Sequence, residues 1–219
     1  MPRTVCAWIV AGALCPGAAL AAGEMLVFHL DPDETAVEFR LGATLHTVEG
    51  SLGTASGRIA FDPESGLAAG EVVIDLTAAE TGVERRDRKM HEQVLETERF
   101  PEAVYRVERI DVPDQSLELG RNDLQLHGTL EFHGATREVA VPTVATVEAG
   151  RVSATAWIEI PYVDWGLPDP SFFVLRVGKT VRVEIEASGR LEGELPAAGA
   201  EPSPGETPDE EARAADGGG

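Results

Sequence analysis

The segment ETGVERRDRKMHEQVLETERFPEAVYR, residues 80–106, is the stretch of this chain that decides the fold. The sequence on both sides of it alternates between apolar and polar residues, as β-strands do, and here the alternation gives way to helical spacing. Met90, Val94 and Leu95 fall at that spacing between charged residues, and Pro101 ends the segment. A single charged, helical crossover in a β-rich chain typically lies over one end of a sheet or barrel. We therefore expect this segment to form a lid over whatever the sheet encloses.

The alternating segments on either side of the lid predict about eight antiparallel strands joined by hairpin turns, among them a short strand at residues 117–119. In one segment, for example, Val37 and Phe39 alternate with Glu38 and Arg40. One apolar face per strand fits an antiparallel sheet whose other face meets water. Two facing sheets and one closed sheet both satisfy this pattern, and the spacing does not choose between them.

The size of the inward-facing residues favours a closed barrel. They are mostly Val, Leu, Ile and Ala with few aromatic residues, so they can leave part of an interior unfilled. Eight-stranded barrels have the size at which the interior is either packed by side chains or holds one small ligand. The sequence thus predicts an all-β fold, an antiparallel barrel of about eight strands with one helical crossover as its lid.

Both ends of the chain are expected to lie outside the folded domain. Residues 1–22 read as a secretory signal peptide, with a positive charge at Arg3, a short apolar run and a small-x-small cleavage site at residues 19–21. We therefore expect a periplasmic or secreted protein. Residues 196–219 are rich in Pro, Gly and acidic residues, which predicts a disordered tail. The remainder, residues 23–195, suits a single domain.

The charge and the cysteine content of the chain exclude several classes of protein. A formal net charge of −20 argues against a nucleic-acid partner and against electrostatic binding to anionic lipid surfaces. Both cysteines, Cys6 and Cys15, lie in the predicted signal peptide. The mature protein would therefore have no disulfide, no thiol nucleophile and no cysteine metal site.

No sequence motif points to catalysis or to a metal. The five histidines show neither H-x-H nor H-E-x-x-H spacing, and no serine lies in a G-x-S-x-G element. We therefore expect no enzymatic activity, no bound metal and no cofactor. A hydrolase that acts on apolar substrates is a weaker alternative.

Four stretches together resemble the YceI-like family of secreted lipid- or polyisoprenoid-binding proteins. LHTVEGSLGTASGRIAFDPESG (45–66) is similar to that family's H-x-V-x-G and G-x-i-x-F-D patterns, and residues 81–101 are similar to its T-G-x-x-x-R-D-x-x-M signature. GTLEFHGATREVAVP (128–142) and PYVDWGLPDPSFFVLRVGKTVRVEIEASG (161–189) resemble its other two motifs, in the family's order. The resemblance implies a lipocalin-like antiparallel barrel whose apolar pore takes a long isoprenoid or acyl chain, and it implies no chemistry. The charged run at residues 84–89 is denser than the family signature.

If the barrel holds such a ligand, the inward faces of the strands supply the residues that bind it. The alternative is that the same side chains fill a solid core. The candidate lining residues are Val37, Phe39, Leu41, Val72, Ile74, Leu76, Leu124, Leu126, Val139, Val141, Val181 and Val183.

Two alternative roles are possible for Arg86 and Asp87, which lie in the lid. Arg86 is a ligand-binding candidate, because a guanidinium group binds phosphate or carbonyl headgroups well at the mouth of a pore. Alternatively, Arg86 and Asp87 pair with neighbours and pin the lid to the rim of the barrel. We favour this tethering role, because an Arg-Asp pair at a strand-to-helix junction is a natural tether and cap.

The sequence therefore predicts a periplasmic or secreted binding protein that holds a long-chain polyisoprenoid, quinone-like or fatty-acyl lipid in an apolar barrel pore. The alternative is a non-catalytic protein-interaction module with a solid β core. The expected partner is a long-chain lipid or isoprenoid ligand and not a nucleic acid. The sequence leaves open whether the protein forms a homodimer.

Overall fold

The computed structural model describes residues 25–44, 46–112, 117–171, 176–193 and 195. The predicted signal peptide (1–22) and the predicted acidic tail (196–219) lie outside the described residues and stay predictions. Within the described part of the chain, no helix is long and apolar enough to cross a membrane.

The described residues form ten strands and, between the fifth and the sixth, one short helical segment. The strands are β1 (Leu26–Leu30), β2 (Ala36–Ala43), β3 (Thr47–Ser51), β4 (Ala55–Phe61), β5 (Leu67–Asp75), β6 (Glu102–Asp111), β7 (Gly120–Phe132), β8 (Ala135–Glu148), β9 (Arg151–Ile160) and β10 (Val177–Glu192). The helical segment consists of α1 (Glu84–Lys89) and a π-helical turn (Met90–Leu95) that continues it, and a 3-10 turn (Pro32–Glu34) follows β1.

Eight of these strands close into an antiparallel barrel in the order β1-β4-β5-β6-β7-β8-β9-β10, with β10 paired back to β1. The closing strand β10 is 16 residues long. One of its edges serves two strands, because residues 177–186 pair with β2 and residues 189–192 pair with β1. The β2–β3 hairpin extends the wall at this seam and is bridged to the segment after β5 through Ser51 and Glu80. The predicted all-β barrel with one helical crossover is confirmed.

The short strand expected at residues 117–119 is wrong, because this segment is a loop that precedes β7. The side chain of Asn122 takes the hydrogen bonds that a neighbouring strand would otherwise provide. Its Oδ1 accepts from the backbone N–H of Glu118 (3.0 Å), and its Nδ2 donates to the carbonyls of Glu118 (2.8 Å) and Gly120 (3.0 Å). Such local side-chain bonds compete with strand pairing. The alternation of leucines at this point therefore does not produce a strand.

Apolar side chains inside the barrel form two buried clusters. The cluster at the lid end contains Phe39, Leu76, Phe132, Ile160 and Tyr162, and residues of the π-helical turn pack against it. The base cluster, at the opposite end, contains Leu26, Ile59, Phe61, Ile110 and Val147. The two clusters bury apolar surface at the two ends of the barrel, and such burial is the main source of its stability.

Closure of the barrel requires a close approach of backbones at Gly189, where β10 passes from β2 to β1. A Cβ atom at this position would overlap the carbonyl oxygen of His29 and the ring of Phe28. We expect Gly189→Ala to lower the free energy of unfolding by about 1–3 kcal/mol, as overpacking against backbone does. Urea denaturation measures this difference.

Gly42→Ala is the matched control, since Gly42 also lies in a strand, β2, but a Cβ there meets no atom within 4 Å. It should leave the free energy of unfolding unchanged or raise it by up to about 1 kcal/mol, because alanine restricts the unfolded chain. Equal effects of the two substitutions would contradict the close approach at the seam.

Candidate functional site

An apolar cavity of about 650 Å³ runs through the barrel interior from the lid-end cluster to the base cluster. Every strand contributes side chains to its wall, and nearly all of them are aliphatic or aromatic. The volume lies within the range of roughly 300–1,000 Å³ that is typical of small-molecule sites. The interior therefore contains an apolar cavity and is not a solid core.

The structure brings most of the predicted lining residues together around this cavity. Those at its wall are Phe39, Leu41, Val72, Ile74, Leu76, Arg86, Leu124, Leu126, Val141, Val181 and Val183. Val37 and Val139 do not border the cavity. Val37 is buried in the lid-end cluster and Val139 packs against that cluster, because side chains there meet one another before they reach the open space. Contact of any of these residues with a ligand stays a prediction.

The prediction also omitted wall residues that carry the same sequence signal. Period-two alternation places one face of β1, β4, β6 and β9 inward, just as it does for the strands that were used. Counting that alternation on these strands would have found most of them. The omitted wall residues include Phe28, Ile59, Tyr105, Val152, Ala154, Ala156, Ile158 and Ile160.

Three hydroxyl groups of the wall donate hydrogen bonds to backbone carbonyls and are thereby occupied. Tyr105 donates to Leu126 (2.8 Å), Tyr162 donates to Gly178 (2.7 Å), and the buried Thr143 donates within its own strand (3.3 Å). Burial raises the pKa of Tyr105, and it raises the pKa of Tyr162 to about 12. Both phenols therefore stay protonated donors at neutral pH, and a ligand inside the cavity meets an apolar wall.

Two adjacent lid residues, Arg86 and Asp87, tie α1 to Thr81, which lies between β5 and α1. The Oδ1 atom of Asp87 accepts from the backbone N–H of Thr81 (2.9 Å) and from its hydroxyl. The guanidinium of Arg86 donates through Nε to the hydroxyl oxygen (2.6 Å) and through Nη2 to the carbonyl (3.0 Å). These are the contacts that the tethering role requires. Arg86 also borders the cavity, so its role as a ligand contact stays a prediction.

The environment of Asp87 favours its charged form. Partial burial by itself would raise the pKa of this carboxyl, but the two hydrogen bonds from Thr81 and the neighbouring Arg86 guanidinium outweigh burial. The pKa of Asp87 therefore lies below its ordinary value. The tether is fully formed at neutral pH.

A third lid residue, His91, strengthens the same attachment. Its Nε2 atom lies 2.8 Å from the carbonyl oxygen of Ala79, which can only accept, so Nε2 donates. Its Nδ1 atom lies 3.1 Å from the hydroxyl of Thr97. Sequence reasoning missed this role because the partner at Ala79 is a backbone carbonyl, which no residue type reveals.

The far end of the lid rests on the turn between β7 and β8. Glu96 ends the π-helical turn in a left-handed conformation (φ 47°), and the ring of Phe100 packs against His133 with centroids 4.5 Å apart. His133 and Gly134 have φ values of 51° and 73°, as a tight two-residue hairpin turn requires. A Cβ at Gly134 would lie 2.8 Å from the Phe100 ring, so glycine also makes room for this contact. The lid is thus fixed at both ends.

The cavity reaches the protein surface beside α1. Arg85 and Lys89 are exposed and also border the cavity, as does Pro170 on another segment. The Nζ atom of Lys89 lies 3.4 Å from the carbonyl oxygen of Pro170. We call this opening, bordered by Val83, Arg85, Lys89 and Pro170, the mouth.

The arrangement offers apolar burial along the wall and positive charge at the mouth. Among the residues that the structure describes, no group of three or more His, Cys, Asp or Glu side chains could hold a metal ion. The expectations that the protein carries no metal and no cofactor stay predictions.

The chain matches a known protein family and is similar in fold to several solved structures. The family model of the YceI-like domain matches residues 28–188. No match was found among curated proteins. Among solved structures, a polyisoprenoid binding domain from Saccharophagus degradans implicated in plant cell wall breakdown is 21% identical with a TM-score of 0.59, over 74% of this chain and 97% of that one.

Two further solved structures share the fold at lower identity. Burkholderia cenocepacia BcnA is 14% identical with a TM-score of 0.61, over 73% of this chain and 98% of that one. A Campylobacter jejuni YceI protein is 15% identical with a TM-score of 0.53, over 67% and 86% of the two chains.

Asp87→Asn tests the tether. The neutral amide accepts weaker hydrogen bonds than the carboxylate, so we expect the free energy of unfolding at neutral pH to fall by about 1 kcal/mol. The folded pKa of Asp87 lies below its unfolded value of about 3.9, so this contribution is present above that pH and is lost as pH falls through the folded pKa. Urea denaturation at neutral pH and at about pH 3 should show a difference between wild type and variant that shrinks in acid.

Asp164→Asn is the control for this measurement, since it removes an exposed carboxylate in the turn after β9. It should change stability by less than about 0.5 kcal/mol at either pH. A difference for Asp87→Asn that stayed constant with pH would show that the carboxylate charge does not carry the tether.

Proposed function

The chain belongs to the YceI-like family, and from that premise we propose that it is a non-catalytic binding protein for a long-chain lipid. The ligand class is a polyisoprenoid, quinone-like or fatty-acyl chain held lengthwise in the barrel cavity. The observation that carries the proposal is the apolar cavity of about 650 Å³ inside the barrel, beneath the lid. The similarity to the polyisoprenoid binding domain from Saccharophagus degradans supports the same ligand class.

Burial alone suffices for useful affinity. Covering about 400 Å² of an apolar tail contributes about 10 kcal/mol at about 25 cal/mol per Å². Association costs at least about 4 kcal/mol of that gain, and a remainder of about 6 kcal/mol corresponds to a dissociation constant of roughly tens of micromolar. No charged or catalytic group in the interior is needed for such a ligand.

The cavity also argues against the alternative of a protein-interaction module with a solid β core. At about 24 cal/mol per Å³, unfilled apolar space of this size costs on the order of 10 kcal/mol relative to a packed core. That figure is comparable to the whole stability of a typical domain. A ligand that fills the cavity restores the lost contacts and offsets the cost, which supports a binding role.

A periplasmic or secreted location forms part of the proposal. It rests on the signal-peptide pattern of residues 1–22, with its cleavage site at residues 19–21. A protein that shields an apolar chain from water is useful in an aqueous compartment between or outside membranes. Size comparison of the precursor and the exported protein by mass spectrometry tests cleavage after that site.

Ala156→Phe tests the cavity as the binding site. Ala156 lies on β9 and borders the cavity, so a phenyl ring there occupies space that the ligand needs. We expect the affinity of the delipidated protein for farnesol, measured by displacement of Nile red, to fall at least about tenfold, a loss of about 1.4 kcal/mol. The free energy of unfolding should not fall, because the ring fills open apolar space.

Ala140→Phe is the matched control on the outer face of β8, where Ala140 is exposed. It makes the same change in side-chain size and should leave farnesol affinity unaltered. If both variants bound farnesol as tightly as wild type, the ligand would lie outside the cavity and the proposal would be refuted.

A further inference from the structure

We propose that the mouth selects long-chain ligands that carry an anionic headgroup, a phosphate or a carboxylate, through Arg85 and Lys89. This inference rests on the proposed function and specifies the headgroup that the apolar cavity leaves open. Neither residue belongs to the part of the lid signature that resembles the family.

The charges around the cavity are all of one sign. Three charged side chains border it within the described residues, namely Arg85, Arg86 and Lys89, and each is a cation. The whole chain has 38 acidic and 18 basic residues. A cavity border with three cations and no acidic residue among the described residues is therefore the opposite of what the overall composition predicts. The mouth is therefore a local positive site on a strongly negative protein.

The basic residues of α1 divide into those that the protein itself uses and those that it leaves available. Arg86 is committed to Thr81 through two hydrogen bonds. Arg88 pairs with Glu84 at 2.9 Å and does not border the cavity. Among the described residues, the side chain of Arg85 makes no hydrogen bond or ion pair, and that of Lys89 has a single long contact of 3.4 Å with a carbonyl.

The spacing of the two available cations carries a cost that a ligand would remove. Arg85 and Lys89 are four residues apart and so are neighbours on one face of the helix, with Cβ atoms roughly 5–6 Å apart. Like charges at this spacing destabilise a helix, whereas the Glu84–Arg88 pair on the same helix has the favourable order. An oxyanion between the two side chains would turn repulsion into two charge-assisted hydrogen bonds. Local rules are commonly broken in this way at functional sites.

The interior supplies the complementary argument. The hydroxyls of Tyr105, Thr143 and Tyr162 already donate to backbone carbonyls, so the wall leaves a polar headgroup few partners. A headgroup buried there would lose its hydration without compensation. The tail therefore lies in the barrel, and the headgroup lies at the mouth, within reach of Arg85 and Lys89.

Farnesyl phosphate and farnesol form the test pair, because they share one tail and differ in the headgroup. Displacement of Nile red from the delipidated protein gives the two affinities. We expect wild type to bind the phosphate about fivefold to tenfold more tightly than the alcohol, as two exposed ion contacts allow. Added salt should reduce this preference, since exposed charges are screened.

The double variant Arg85→Gln/Lys89→Gln should abolish the preference while leaving farnesol affinity within about twofold of wild type. Arg88→Gln is the matched control, because it removes one positive charge from the same helix away from the mouth, and it should keep the preference. Urea denaturation should show that the double variant is at least as stable as wild type, since a like-charge pair is removed.

The outcomes separate the headgroup inference from the proposed function. Equal affinity of wild type for the two ligands, or a preference that survives the double variant, overturns the headgroup inference and leaves lipid binding intact. If neither ligand bound, the headgroup inference and the proposed function would both be refuted. Inorganic phosphate alone should compete weakly; if it bound as tightly as farnesyl phosphate, the mouth would be a site for a free anion and not for a lipid headgroup.

Discussion

The double pairing of β10 is the constraint on which the rest of the structure depends. This strand pairs with β9 along one edge and with β1 and β2 along the other, so it closes a sheet of eight strands into a barrel. Eight strands fix a diameter at which large side chains can just fill the interior. Here the wall includes small residues such as Ala145, Ala154 and Ala156, so closure leaves an apolar cavity. The proposed ligand class, a long apolar chain, rests on this combination of a fixed diameter and small wall residues.

The lid is held by a different kind of interaction from the one that holds the barrel. Polar bonds to backbone groups attach it, through Arg86 and Asp87 at Thr81 and through His91 at Ala79. Each such bond contributes only about 1 kcal/mol net, whereas the ten strands share one extensive ladder. A segment held in this way opens at a lower free-energy cost than the barrel itself, as binding loops and lids commonly do. Access to the cavity is thus compatible with a stable fold.

Much of the fold could be predicted from the sequence, because alternation and helical spacing are local signals. The change of period at residues 80–106 located the lid, and the inward faces of the strands located the cavity wall. The strand at residues 117–119 was wrong because the side chain of Asn122 takes over its backbone bonds. Val37 and Val139 lie on the inward face but meet other side chains there, which is a property of the assembled barrel. The backbone partner of His91 was equally invisible, because a carbonyl has no residue identity.

The central claim is that a long apolar chain occupies the barrel. Native mass spectrometry of the purified protein, followed by organic extraction and identification of the released compound, tests it most directly. We expect a mass above that of the polypeptide and an extracted lipid with one long isoprenoid or acyl chain. A protein that is empty as purified and takes up neither farnesol nor a long-chain fatty acid would contradict the account.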